Sequence, residues 1–214
     1  MLQVKYPYAN AAIGSDGEVL QDIHLPSKNI AIYQRDITPL NKELSQIAEQ
    51  PIECRAIGTS EEVLSALEDY FNNHLPKCTS LFDDISKILR LFEGTAQASS
   101  FRLLLTTVST NMCRKFHTDV NDLRLLCTYM GPGTLWLPDE AIDEKALRTT
   151  KNDQNIVLDK QLIQQVNTGD VVILKGALYP ESKAILHRSP TIEQSGEKRL
   201  LLRIDTNEFL SFLS

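Results

Sequence analysis

Residues 115–138, KFHTDVNDLRLLCTYMGPGTLWLP, set a histidine and an aspartate two positions apart at the mouth of an apolar run ending in a glycine-proline-glycine turn. Alternate side chains of a strand share a face, so His117 and Asp119 can both reach one ion. A polar pair at a strand end has the same spacing and needs no ion, so a third ligand has to decide. The chain has four histidines. His24 and His74 fall in an N-terminal loop and near a helix end, and both read as surface residues. His187 sits in AILHRSP, a second short apolar stretch 70 residues beyond His117. Two imidazoles and a carboxylate, with the remaining positions open, form the donor set of non-haem Fe(II) oxygenases.

Other residues near these motifs divide by parity. In GEKRLLLRID, Arg199 and Arg203 share a strand face and can offer a guanidinium fork to the carboxylate of an organic acid. Arg124 and Arg188 alternate away from the histidines, and Arg124 is expected to pair with a carboxylate outside the cavity. Cys113 shares parity with His117 and Asp119, and a Cys/His/Asp/His set would suit zinc. Four residues along a strand span about 13 Å, too far for one ion unless the chain bends. GPGT reads as a tight turn, too short to cradle a phosphate. Trp136 reads as core.

The elements that must position these residues change character along the chain. TPLNKELSQIAEQ, SEEVLSALEDYFNNHL and SLFDDISKILRLFEG carry apolar residues three to four apart, with a Thr38 cap before proline, Ser60 before two glutamates, and Gly94 closing the third stretch. From Thr38 to about Glu93 the expected structure is therefore helical. After Gly94 six short stretches, SFRLLLTTVST, LRLLCTYMG, GTLWLP, DVVILKG, AILHRS and RLLLRID, read as strands bounded by turn residues. The expected fold is α+β, with a mostly helical N-terminal extension over 1–95 packed on a jelly-roll core over 96–210. A polar insertion at 139–168 carries a short helix near 159–166 and a turn at NTGD. No Pro/Ser-rich linker breaks the chain, so 1–214 is expected to be one domain.

Composition narrows the partners. A net charge of −6 with scattered basic residues disfavours nucleic acid. No apolar run reaches the ~18 residues of a membrane span, and the stretch MLQVKYPYANAAIGSDGEVL does not read as a secretory signal, so the expectation is a cytoplasmic protein. Cys54, Cys78, Cys113 and Cys127 are widely spaced, which fits reduced thiols better than a disulfide framework.

The order His117-x-Asp119, a strand with Thr128 and Tyr129, a glycine turn with LWLP, TGDVVILKG, His187, then Gly196 and Arg199, resembles the Fe(II)/2-oxoglutarate-dependent oxygenases over roughly residues 101–205. FHTD, TYMGPGTLWLP, LKG, HRSP and RLLLRID are similar, more closely, to an uncharacterised bacterial domain-of-unknown-function family. The first resemblance implies a double-stranded β-helix, with His117, Asp119 and His187 as iron ligands and Arg199 as partner of the 2-oxoglutarate carboxylate. It also implies hydroxylation of an unnamed substrate, with Tyr129 donating to the cosubstrate. Arg199 stands twelve positions after His187 and is followed by Leu-Leu, where members place it nearer and follow it with x-Ser, so Lys198 and Arg203 stay open for its role. A non-catalytic metal- or ligand-binding jelly roll is the alternative reading. A zinc hydrolase on the same three ligands ranks after it.

Overall fold

In the computed structural model, which describes residues 7–149, 156–180 and 182–206, the chain forms ten strands and four α-helices among those residues. The strands are β1 (Ala11–Gly14), β2 (Ile30–Tyr33), β3 (Glu53–Gly58), β4 (Phe101–Val108), β5 (Leu123–Met130), β6 (Leu135–Trp136), β7 (Gln164–Gln165), β8 (Val171–Lys175), β9 (His187–Arg188) and β10 (Arg199–Thr206). The helices are α1 (Asn41–Ile47), α2 (Ser60–His74), α3 (Thr79–Ala96) and α4 (Glu144–Thr149). All six stretches read as strands contain one.

Seven strands form one sheet in the order β1-β2-β8-β5-β10-β4-β3, and β7-β6-β9 form a smaller one. Only the β1/β2 pair is parallel. Period-2 alternation splits the large sheet's residues between two cores. Leu125, Cys127, Tyr129, Leu200, Leu202 and Ile204 face Val63, Leu67, Ile85 and Phe92 of α2 and α3. Leu126, Leu201, Val172 and Leu174 face the other way, onto Trp136 of the small sheet and Ile185. Two opposed sheets with helices outside the larger one give a mixed α/β architecture; of the expected jelly roll, the opposed sheets are what is seen.

Helix α2 begins at Ser60, and its cap is Thr59, one residue before the expected signal at Ser60. Thr59 caps it in a reciprocal box: its hydroxyl accepts from Glu62 N (3.3 Å), and the Glu62 carboxylate accepts from Thr59 N (2.8 Å). Its buried face of Val63, Leu67 and Phe71 contributes about 1.5–3 kcal/mol per side chain. Helix α3 runs past Gly94 to Ala96 and ends at Gln97, whose φ of 52° supplies the left-handed cap.

The mostly helical reading of residues 1–95 needs correction, because that segment also supplies β1, β2 and β3 to the large sheet. Strand β3, ECRAIG, buries Cys54 and Ala56 and exposes Glu53, Arg55 and Ile57. Its inward residues are small and its outward ones mostly charged, so the alternation is faint in sequence. The helix expected near 159–166 is a 3-10 turn, Lys160–Leu162, followed by β7. Where the inserted segment is described, Ala141 and Ile156 pack with Phe116, Leu137 and Leu186 in a third apolar cluster; residues 150–155 lie outside the described part.

Candidate metal centre

His187 opens β9 opposite Trp136, with its side chain buried. His117 lies beside it through an isolated antiparallel bridge in which each backbone N–H donates to the other's carbonyl at 3.0 Å. That reciprocal pair brings the two rings to a centroid distance of 4.6 Å. Asp119 is placed by the segment leading into β5. Ala177 N donates to Asp119 O (2.8 Å), Leu178 N to Asn121 O (2.9 Å) and Gly176 N to Asp122 O (2.7 Å). Position 176 has room for glycine alone, since a Cβ there would lie 2.1 Å from Asn121 Oδ1.

One ligand atom from each of His117, Asp119 and His187 lies within 4.8 Å of the others. His117 Nε2 is 3.7 Å from Asp119 Oδ1, and His187 Nε2 is 3.2 Å from Asp119 Oδ2. His117 Nδ1 lies 2.9 Å from Lys115 O and His187 Nδ1 lies 3.3 Å from Ile185 O. A carbonyl only accepts, so each ring places a proton on Nδ1, and in the neutral form Nε2 keeps its lone pair. Three electron-rich atoms then converge, which a shared cation satisfies. Asp119 Oδ2 is buried and has no donor aligned for a hydrogen bond, although Arg124 Nη1 stands 2.6 Å away as an ion-pair partner. Burial alone would raise the Asp119 pKa. Contact with His187 and the neighbouring Arg124 guanidinium overcome it and hold the carboxyl below its ordinary range.

Arginines line the same space. Arg199 is buried; its Nη2 donates to Thr128 Oγ1 (3.1 Å), and its Nε has no partner among the described residues. Burial lowers its pKa to about 10. Arg203 Nε lies 3.2 Å from Asp205 Oδ2 without hydrogen-bond alignment. A cavity of about 70 Å³ joins Arg124, Arg199 and Arg203 to His117 and His187. A second, of about 640 Å³, begins on the other side of His117, with walls of Phe116, Ile142, Leu147 and Leu186 and a rim that includes the Lys183–Glu144 ion pair (2.7 Å).

Several expected placements differ. Tyr129 points to the helical side of the sheet, where its hydroxyl donates to Asp84 Oδ2 (2.7 Å), so it does not reach the cosubstrate side. Thr128, its neighbour, has the inward parity. Arg124 faces the histidines: Nη1 contacts Asp119 Oδ2 and Nε donates to Asp205 Oδ1 (2.5 Å). Both differences have one cause: residues 117–122 are not part of β5, so strand alternation does not carry from His117 into it. Lys198 pairs with Glu49. Cys113 is exposed and lies outside the three-residue ligand group, so the four-ligand zinc set is not formed. Arg188 lines the small cavity and stacks its guanidinium 5.0 Å from the Phe116 ring centroid. Trp136 is buried in the core, as expected. The sequence reading missed Asp205, whose shared parity with Arg199 and Arg203 was an available signal.

Fold and site together define a mixed α/β protein with a candidate two-histidine, one-carboxylate metal centre where the small sheet meets the large one. The chain belongs to the family described as Protein of unknown function (DUF1826), which matches residues 14–205. No curated protein matches it. Among solved structures it is similar to a prolyl-4-hydroxylase of Pseudomonas putida, at 10% identity over 88% of this chain and 96% of that one, TM-score 0.43. It is also similar to a full-length Neurospora crassa protein solved in complex with alpha-KG, at 14% identity over 89% and 78%, TM-score 0.42. Overlaps this low assign neither activity nor ligand. Among the described residues no helix is long and apolar enough to cross a membrane.

Proposed function

We propose that this protein is an Fe(II)/2-oxoglutarate-dependent oxygenase, with His117 Nε2, His187 Nε2 and one oxygen of Asp119 as the iron ligands. Bound there with 2-oxoglutarate and O₂, Fe(II) would supply the oxidising chemistry that couples decarboxylation of the cosubstrate to hydroxylation of a substrate C–H bond. The residues present fit the ion: two Nε2 lone pairs and a buried carboxylate oxygen without an aligned donor point at one another.

The observation that carries the reading is Arg199. A buried guanidinium with an open Nε, in the same cavity as both histidines, lacks an anion among the described residues. A dicarboxylate would supply one, and Arg199 and Thr128 would bind its far end by charge-assisted hydrogen bonds. Leu126 and Leu201 in the cavity wall exclude water around it. The 640 Å³ cavity beyond His117 has the volume of a small-molecule site, and its Phe116, Ile142, Leu147 and Leu186 walls would hold an apolar part of the substrate. The modest 70 Å³ of the arginine-lined cavity favours a second reading, a metal-binding protein that does not take up the cosubstrate.

Anaerobic titration separates the two. Fe(II) followed by 2-oxoglutarate should produce the visible charge-transfer band of the chelate. Iron binding with no band at saturating 2-oxoglutarate would leave only the non-catalytic reading. Failure of Fe(II) to bind would remove both.

A further inference from the structure

We infer that Arg124, held by Asp205, is a positioning residue for the Asp119 carboxylate; this rests on the metal-centre reading above. The register puts Arg124 directly opposite Asp205 on neighbouring strands β5 and β10. Its guanidinium spans two carboxylates: Nε and Nη2 take Asp205 Oδ1 and Oδ2 at 2.5 and 3.3 Å, while Nη1 reaches Asp119 Oδ2 at 2.6 Å. Asn121 Nδ2 also donates to Asp205 Oδ1 (3.2 Å), so the strand pair and the segment carrying Asp119 meet at one carboxylate.

Two effects compete here. A guanidinium beside a metal-binding carboxylate draws negative charge away from the ion and repels a dication. It also limits where the Asp119 oxygen can sit, because a planar guanidinium whose Nε and Nη2 are held by Asp205 keeps Nη1 in one place, as a lysine cannot. Asp205, which also lies 3.2 Å from Arg203 Nε, decides the balance: it offsets part of the Arg124 charge and holds the fork in plane, leaving orientation as the larger effect. Without Asp205, Arg124 is free to close both nitrogens on Asp119 and turn it from the imidazoles. Groups that support a metal ligand in this way change metal affinity by roughly 10–100-fold when removed.

The test is Co(II) binding to the full chain, followed by affinity and by the visible d–d spectrum, which reports ligand geometry and is insensitive to general destabilisation. Asp205→Asn and Arg124→Gln should each weaken Co(II) binding about 10–100-fold and alter the band pattern. Arg124→Lys should fail to restore either, and the double variant should be no weaker than Arg124→Gln alone. Should Arg124→Gln fail to fold, Asp205→Asn, which keeps the Arg124–Asp119 pair, carries the same test. Wild-type affinity and spectrum in folded Asp205→Asn or Arg124→Gln, while His187→Ala loses the ion, would overturn the inference and leave the metal centre standing. Co(II) binding unchanged by His117→Ala and His187→Ala would overturn both.

Discussion

Two arginines flank the large sheet, Arg35 part-buried on the helical face and Arg199 buried on the other, and the two are finished differently. On the helical face Arg35 is closed: Nη1 and Nη2 grip Asp84 at 2.5 and 2.9 Å, Nε donates to Gly169 O at 2.7 Å, and Tyr129 donates to the same Asp84. Burial works against its charge, but the Asp84 hydrogen bonds more than reverse that and hold its pKa above the ordinary arginine range. On the inner face Arg199 has one hydroxyl and an open Nε, and burial alone draws its pKa down to about 10. A cation whose bonds are all made is a structural tie. One left open at a cavity shared with two imidazoles is, on the proposed function, the group that would bind the cosubstrate.

The largest effect should come from opening the closed face. Asp84→Ala strands Arg35 and should cost about 3 kcal/mol in urea unfolding, with Co(II) affinity of the folded fraction unchanged. Lost metal binding there would break the separation of the faces. On the open face the outcomes should invert. Arg199→Met removes an unneutralised buried charge, so stability should hold or rise by about 1 kcal/mol. 2-Oxoglutarate binding, read by calorimetry on Mn(II)-loaded protein, should weaken about 10–100-fold. Marked destabilisation with unaltered binding would make Arg199 a second structural tie. Gly176→Ala should sharpen the picture: its Cβ would force Asn121, and with it the Asp119 segment, to move, costing about 2 kcal/mol and weakening Co(II) binding.

A pH-dependent effect, no more than about 1.4 kcal/mol over any one pH unit, concerns Lys175, a buried cation with a partial set of partners. Its ammonium donates to Leu25 O (3.1 Å) and Ser182 Oγ (3.0 Å), has no carboxylate hydrogen-bond partner among the described residues, and burial lowers its pKa to about 8. Between pH 8 and the ordinary lysine value of 10.5 the unfolded chain binds more protons than the folded one. Stability should therefore rise with pH across that window, by at most about 1.4 kcal/mol per pH unit from this group, with the penalty fully present below pH 8. Urea unfolding of Lys175→Met should lack that increment; identical slopes in both proteins would contradict it.

What the sequence disclosed follows from where its patterns are uninterrupted. Six of the seven strands after Gly94 lie in short apolar stretches bounded by turn residues and were legible, as were α2 and α3 from their apolar spacing; β7, Gln164–Gln165, carries no apolar signal. His117 and His187 were paired as ligands by residue type and order along the chain; the isolated bridge that brings them together has no local signature. Arg124 and Tyr129 were misplaced because parity holds only within continuous strand, and the chain leaves it between the histidine and Leu123. Strands β1, β2 and β3 are short, and β3 is charged on its outer side, so long-range pairing fixes them where local preference does not. Asp205 was readable as a residue on the Arg199 face but not as Arg124's partner, since register between distant strands has no local signature.

The most direct test is anomalous diffraction at the iron edge from crystals grown anaerobically with Fe(II). One strong peak bonded to Nε2 of His117, Nε2 of His187 and an oxygen of Asp119 is the expected result. A peak elsewhere on the molecule, with the two imidazoles turned apart, would contradict the account.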